Sequence, residues 1–405
     1  MENVAITGAG VISSVGLGLD GFIDGLEAGR TGTRRAPWAR PDEGRHAWYS
    51  PVPDFDPRRW LDERTVTGTV EFSQYAVIAA DQALEMAGLE PSSDTGVVFG
   101  TAMAGASALA GAQHLLETEG PAAVPRKLQI QAWANLAAGH IAMRHGLHGP
   151  LMTVSTACAA GLDALGYAVR LVRSGEADVV IAGGSEHAFS EVLYQAQLNY
   201  GMSGGVEDPR LATMPFDTRR SGLVEGAGAA MFVLEGLDHA RARGAEVLGV
   251  VSGYANVSDA FHPSAPEPSG RWEAESMMRA IRQAGCEPAD VDGIVAHATS
   301  TPKGDDAEIA AINTVFGDRP DSLHVTSLKG NVGHTGGASG AMGVAVALHV
   351  LRSGRLPHLP TTEQPEPAAR FHIVTERPTV ADFSVIQVNS FGFAGQDSSM
   401  VLRRA

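Results

Sequence analysis

The sequence predicts an α/β protein built from two halves of similar plan, and three observations carry that prediction. Short β-branched runs alternate with stretches of helical spacing along the whole chain. Glycine is abundant, 48 of 405 residues, as a fold with many tight strand-to-helix turns requires. A strand, a buried helix and a second strand follow one another around residue 160, and the same style returns after residue 290, which divides the chain near residue 245 into residues 1–245 and 246–405.

The elements follow in order. Val4 to Ile6 reads as the opening strand. Thr7-Gly8-Ala9-Gly10 and the Val11 to Ser13 that follow imitate the start of a dinucleotide fingerprint. The third glycine is missing and no second strand ends in an acid about 20 residues on, so the segment is read as a strand-to-helix turn. Thr31 to Trp60 is Pro-rich and reads as an extended surface loop; its Arg34, Arg35, Arg40, Arg45, Arg58 and Arg59 form a basic patch or simply keep the loop solvated. Val97 to Phe99 and Leu151 to Ser155 read as strands. From Cys158 to Val172 a helix carries Leu162, Leu165, Ala168, Val169, Leu171 and Val172 on more than one face, so it is expected between layers. Val179 to Ala182 closes the unit as a strand.

In the second half Ile294 to Ala296 reads as a strand, and Ile309, Ile312, Val315 and Phe316 follow at helical spacing. Val325 to Ser327 is a strand and Ala341 to Leu351 an apolar helix. Phe383 to Val388 and Met400 to Leu402 are the last strands, with a Gly-rich turn between them.

Composition narrows the function classes. The formal net charge of −16 argues against a nucleic-acid partner, which needs a basic face. Cys158 and Cys286 are the only cysteines, too few for a disulfide framework or a cysteine-rich metal site. No secretion signal is visible at the N-terminus and no run of 18 uncharged apolar residues occurs, so neither secretion nor a membrane span is expected. A cytoplasmic location is the expectation.

Four segments carry candidate chemistry. In Val154-Ser-Thr-Ala-Cys158-Ala-Ala-Gly161 a strand gives way to the buried helix at the cysteine. A thiol there feels the helix N-terminus, which favours the thiolate, and free backbone N–H groups can bind an oxyanion; the competing reading is a small core residue. In Ala296-His297-Ala-Thr-Ser-Thr301-Pro-Lys-Gly-Asp305 the histidine follows a strand, where α/β folds bind ligands, with a polar hairpin-like loop beyond it. A lone histidine at such a place is more often structural. Ser327-Leu-Lys329-Gly-Asn-Val-Gly-His334-Thr-Gly-Gly337 again runs from strand to Gly-rich turn to helix, and lacks the order of a phosphate loop. Lys329 there offers a Schiff-base amine or, as the expected role, a charge paired with a carboxylate such as Glu308. Asn389-Ser-Phe391-Gly-Phe393-Ala-Gly395 places two aromatics in a turn, either a core plug or a gate over a narrow pocket.

A cysteine followed by two histidines in this order and these contexts resembles the β-ketoacyl-acyl-carrier-protein synthases of the thiolase superfamily, of the elongating synthase II type and its type II polyketide relatives. The resemblance runs from Val4-Ala-Ile-Thr-Gly8 through Gly149-Pro150, Ala182-Gly-Gly-Ser-Glu186 and Pro215-Phe-Asp-Thr-Arg-Arg220 to Asn389-Ser-Phe-Gly-Phe393. It implies a thiolase-like layered α-β-α-β-α fold with two pseudo-duplicated halves, the nucleophile in the first and both histidines in the second. It implies that Cys158 holds the growing acyl chain and that the backbone N–H groups of Cys158 and Phe393 form the oxyanion hole. His297 and His334 then bind the malonyl thioester carbonyl, Lys329 with Glu308 keeps the site in order, Asp305 steadies the loop after His297, and Phe393, near Phe391, acts as gate. The resemblance further implies no nicotinamide, flavin or metal, only phosphopantetheine arriving with the substrate. The implied partners are acyl carrier protein and either a second copy or a chain-length-factor-like subunit. Relatives place the segment around Gln131 and Trp133 near the dimer interface and the acyl-pocket floor, so either residue could limit chain length.

The sequence also departs from that pattern. Ala298 and Ala394 stand where glycine is usual, Gln396-Asp397 replaces Thr-Asn or Gln-Asn, Ser221 replaces an aspartate and Gly226-Ala227-Gly228 replaces Gly-Glu-Gly. Thr65 to Phe72 is neutral or acidic where relatives carry basic residues facing the carrier. Other readings are a coenzyme A thiolase, which would need a second catalytic cysteine that residues 389–397 lack, an acyltransferase or decarboxylase that does not elongate, and a non-catalytic chain-length-factor-like partner, which would lack Cys158.

Overall fold

Alternation of apolar side chains along the strands decides which face each strand gives to which core. The computed structural model describes residues 3–40, 46–204 and 206–405. Eleven strands form one sheet: β1 Val4–Ile12, β2 Gly96–Gly100, β3 Leu151–Val154, β4 Val179–Glu186, β5 Gly228–Gly236, β6 Gly249–Ser258, β7 Gly293–Val295, β8 Arg319–Thr326, β9 Phe371–Ile373, β10 Val385–Gly392 and β11 Gln396–Arg403. Six helices matter below: α1 Glu71–Ala87, α2 Ala160–Ser174, α3 Glu191–Tyr200, α4 Arg271–Ala284, α5 Pro302–Phe316 and α6 Ser339–Ser353.

The strand order is β9-β8-β7-β10-β11-β6-β1-β5-β4-β2-β3. From β1 outward the pairings β1–β5, β5–β4, β4–β2 and β2–β3 run antiparallel, antiparallel, parallel, parallel. From β6 outward β6–β11, β11–β10, β10–β7 and β7–β8 repeat that series, with β9 added in parallel at the edge. The two series join where β1 pairs antiparallel with β6. The duplication is thus written in the hydrogen-bond pattern itself.

Three cores separate the layers. On β5, Ala230, Phe232 and Leu234 enter the middle core, while Ala229, Met231 and Val233 face an outer one, the period-two rule for a strand buried on both faces. The middle core holds both central helices, α2 through Leu162, Leu165 and Val169 and α6 through Met342, Val344 and Leu348. Helix α1 covers the first series from outside, and α4 and α5 cover the second. The result is the expected α-β-α-β-α stack. Among the described residues no helix is long and apolar enough to cross a membrane.

Two sequence expectations change here. Thr7 to Ile12 is not a strand-to-helix turn; it continues β1, with a register irregularity between Ile6 and Gly8. Its glycines serve packing, because a Cβ at Gly8 would lie 2.0 Å from the Ala83 carbonyl oxygen and one at Gly10 2.0 Å from that of Ala79, both on α1. Only glycine lets that helix approach so closely. The Arg-rich segment is not wholly a loop either. Arg34–Arg35 pairs with Trp48–Ser50, which pairs with Glu225–Gly226 in a small second sheet. Arg58 forms exposed ion pairs with Asp56 and Glu63, and Arg40 with Glu191; Arg45 lies outside the described residues.

Candidate active site

The pseudo-duplication brings four strand ends together. Cys158 follows β3 and precedes α2; His334 follows β8 and precedes α6, the matching place in the other series. His297 follows β7, and Phe391 ends β10. Parallel strands end in crevices of this kind, with polar groups converging on them.

Cys158 lies in a one-turn 3-10 helix, Ala157–Ala159, and is half-buried. Its Sγ is 3.1 Å from His334 Nε2, and the Phe393 backbone N–H donates to the sulfur. Ser390 Oγ donates to the Cys158 carbonyl at 2.9 Å. Below this turn Asp163 of α2 accepts from Thr156 at 2.5 Å, Tyr254 at 2.8 Å and Ser398 at 2.5 Å, which ties the Cys158 turn to β6 and β11. The sequence reading assigned Asp163 nothing, because its partners are remote in the chain.

The thiol feels more than the helix N-terminus. Burial pushes it up to about 12, with the Glu225 and Glu186 charges pushing the same way and Lys329 and the Phe393 N–H opposing them. Burial thus favours the neutral thiol, while Lys329 and the Phe393 N–H favour the thiolate.

His334 is fixed by its partners. Its Nδ1 accepts the Gly336 backbone N–H at 3.0 Å and stands 3.2 Å from Ser339 Oγ. A backbone amide can only donate, so Nδ1 is unprotonated and Nε2 carries the hydrogen, which points at Cys158. Burial, followed by the Lys329 charge, lowers His334 to about 3. His297 has the same logic: Lys329 Nζ lies 3.3 Å from its Nδ1, so its Nε2 also bears hydrogen. Burial, Lys329 and His334 hold it well below its ordinary value. The two rings stand 5.6 Å apart at 86°, and Phe391 packs on His297 at 5.8 Å. Two neutral N–H donors converge on one small volume.

Glu308 and Lys329 do not pair directly. Glu308 accepts the His297 N–H at 2.9 Å, the Ala298 N–H at 2.6 Å and Asn389 Nδ2 at 3.2 Å, while Lys329 Nζ donates to the His297 carbonyl oxygen. They meet through the His297 main chain. Burial lowers Lys329 to about 8, with Glu308 first among the charges that oppose the fall. The segment after His297 is no hairpin: α5 begins at Pro302, and Asp305 in its first turn accepts the Ser300 N–H at 2.9 Å and the Phe216 N–H at 2.7 Å. That locks a strained loop, since Ala298, Ser300 and Phe216 all have positive φ.

Glu186 is a second residue without an assigned role. It accepts the Ala102 N–H at 2.7 Å, the Gly337 N–H at 3.0 Å and the Thr101 hydroxyl at 3.2 Å, joining the end of β2 to the turn after His334. Asn389, Ser390 and Phe391 belong to β10 and only Phe393 to Gly395 form the turn. Phe391 is buried; Phe393 is 42% exposed. Ala394 holds φ +61° with its N–H on the Pro263 carbonyl. Gln131 donates to the Thr67 carbonyl, and Trp133 is 54% exposed.

One ligand atom each from Cys158, His297 and His334 lies within 4.8 Å of the others, a set that would suit a thiophilic ion. The geometry equally makes a nucleophile beside a two-donor oxyanion site. Because both rings are held neutral, the pH profile of kcat/KM for condensation should show no acid limb with a pKa near that of free histidine, about 6.5. A limb centred between about pH 6 and 7 would contradict the tautomers assigned above.

Comparison with known proteins adds to this geometry. The family profile described as beta-ketoacyl synthase, N-terminal domain matches residues 1–240, and that described as beta-ketoacyl synthase, C-terminal domain matches residues 248–363. The chain is 34% identical to 3-oxoacyl-[acyl-carrier-protein] synthase 2 of Rhizobium meliloti (strain 1021), covering 100% of this chain and 99% of the relative. The ishigamide ketosynthase/chain length factor structure superposes with a TM-score of 0.93 at 32% identity, over 100% of this chain and 99% of the other. A type II polyketide synthase acyl-carrier protein in complex with its ketosynthase bound to the hexaketide gives a TM-score of 0.90 at 26% identity, over 100% of both chains.

Proposed function

The chain belongs to the beta-ketoacyl synthase family, and from that premise we propose which residue performs which step of its reaction. It is a β-ketoacyl-acyl-carrier-protein synthase, an acyltransferase of fatty acid or polyketide synthesis. The observation that carries the assignment of roles is the pair of inward Nε2–H groups beside the Cys158 sulfur.

In the first half-reaction Cys158 Sγ attacks the acyl-carrier thioester carbonyl, and the developing oxyanion lies on the Cys158 and Phe393 N–H groups. The carrier's pantetheine thiol leaves with the proton that Cys158 gives up. In the second, the malonyl thioester oxygen accepts from His297 and His334 while carbon dioxide departs. The enolate carbon attacks the acyl-Cys158 carbonyl, the C–S bond breaks, the Cys158 sulfur takes up a proton from solvent, and a β-ketoacyl-carrier is released. Splitting a three-body encounter into two ordered steps removes much of its entropic cost. Lys329, Glu308 and Asp305 position the histidine loop, and Phe393 gates the change from acylation to condensation. No resident metal or cofactor enters these steps; phosphopantetheine arrives on the carrier. We place the protein in the cytoplasm, where Cys158 stays reduced. A pulse-chase tests the order of steps: labelled acyl-carrier should mark Cys158, and added malonyl-carrier should then remove the label as product. Label that never leaves Cys158 would favour an acyltransferase that does not elongate.

The partner proposal rests on the sheet edge. β3 pairs on one side only, and Leu151 and Met152 on it are exposed, with Met143, Ile130 and Trp133 also exposed nearby in sequence. An edge strand with apolar exposure is a pairing surface unless it is covered. We assign it to a second copy or a chain-length-factor-like subunit, and carrier docking to another face. Leu151→Glu with Met152→Lys should convert the assembled form to monomer in sedimentation analysis. An unchanged assembly would place the interface elsewhere.

A further inference from the structure

Asp163 is a buried acid below the Cys158 turn that the steps above leave unused. It lies in the first turn of α2 and is 1% exposed. Four side chains donate to its carboxylate: Thr156 at 2.5 Å, Ser398 at 2.5 Å, Tyr254 at 2.8 Å and Asn256 at 3.3 Å. Asn256 also donates to Ser398 Oγ at 2.8 Å, which leaves the Ser398 hydrogen for Asp163. Gly166 of α2 makes room for Tyr254, since a Cβ there would lie 2.2 Å from its ring. Burial raises Asp163 and the four donors oppose the rise; a proton on the acid would displace one of them.

Two of the donors belong to the two segments that carry the oxyanion hole. Thr156 opens the Cys158 turn, where Ala157 holds φ +50°. A non-glycine residue keeps that left-handed backbone only when its surroundings fix it. Ser398 stands on β11 opposite Ser390 of β10, in the hairpin whose turn carries Phe393. That hairpin rests on the Cys158 turn: Ser390 Oγ donates to the Cys158 carbonyl at 2.9 Å. A Cβ at Gly392 would lie 2.8 Å from the Thr156 carbonyl oxygen and 3.3 Å from the Cys158 nitrogen. One carboxylate therefore grips both sides of the gap across which the Cys158 and Phe393 N–H groups face one oxygen. A misplacement of about 1 Å at such a site can cost about 10² in rate.

We propose that Asp163 is a positioning residue for acyl transfer: through Thr156 and Ser398 it sets the spacing of the Cys158 and Phe393 N–H groups that receive the thioester oxyanion. It acts through those two side chains and not on the substrate. The inference rests on the synthase reading and concerns the acylation half alone, because His297 and His334 are held by Lys329, Gly336 and Ser339 instead.

The test follows three reactions of the whole protein by intact mass. They are acylation of Cys158 by the fastest of acetyl-, hexanoyl- and dodecanoyl-carrier, alkylation of the same sulfur by iodoacetamide, which forms no oxyanion, and decarboxylation of malonyl-carrier, which uses the histidines. Asp163→Asn puts an amide N–H among four donors, and Thr156→Val removes one donor at nearly constant shape. Each should lower the maximal rate of acylation by about tenfold to about 10²-fold. The half-saturating carrier concentration, alkylation and decarboxylation should each stay within about threefold of the wild type. Thr156→Ser, which keeps the hydroxyl, should hold acylation within about threefold of the wild type. Acylation by Asp163→Asn and Thr156→Val at the wild-type rate overturns the clamp while the synthase reading stands. A parallel fall in all three reactions makes Asp163 a support of the whole fold and overturns the clamp as well. Alkylation that falls in step with acylation places the effect on the sulfur and does the same. Failure of all three carriers to acylate wild-type Cys158 overturns the synthase reading and the clamp with it.

Discussion

Cys158→Ala should abolish the acyl-enzyme and lower condensation by a factor on the order of 10³ to 10⁶, the range spanned when a covalent nucleophile is removed. The loss should be selective. His297 and His334 lie outside the substituted side chain, each fixed by its own partners at Nδ1, so malonyl-carrier should still bind and lose carbon dioxide. Acetyl-carrier accumulating without any β-ketoacyl product is the expected result. The fold should tolerate the change, since alanine keeps the turn's backbone and the main-chain contact to Ser390. Loss of decarboxylation together with condensation would mean that the sulfur also holds the malonyl group.

His297→Ala should give the opposite separation. Its ring contacts Lys329 and Phe391, while the contact to the sulfur comes from His334. Acylation of Cys158 should therefore remain within about tenfold of the wild type. Condensation should fall by about 10² to 10³, the cost of removing one oxyanion donor. His334→Ala should impair both steps, because its Nε2–H faces Cys158 and is the donor proposed for the malonyl oxygen as well. Equal damage to acylation from both substitutions would show that the two rings are not divided in this way.

Much of this arrangement is legible in the sequence because it is local. Strands such as Val179–Glu186 and helices such as Ala160–Ser174 declare themselves by apolar spacing, and Cys158, His297 and His334 each sit where a strand gives way to a polar or Gly-rich turn. What escaped depends on pairs distant in the chain. Gly8 and Gly10 resemble a turn until α1 is seen crossing them. Asp163 and Glu186 look like ordinary acids, and only the fold gathers their donors from residues 254 and 398 or 102 and 337. The Lys329 to Glu308 pairing was the right neighbourhood with the wrong contact, because the His297 main chain lies between them. The burial of the Cys158 thiol escapes for a similar reason: helix position is visible in sequence, whereas burial is a property of the assembled layers.

Intact mass of the enzyme and both carriers from a single reaction with acyl- and malonyl-carrier tests this division of labour most directly. It should show an acyl adduct that maps to Cys158, a carrier bearing the β-ketoacyl product, and neither species with Cys158→Ala. A β-ketoacyl product formed by the alanine variant, or an adduct that maps to Cys286, would contradict the assignment of Cys158 as the nucleophile.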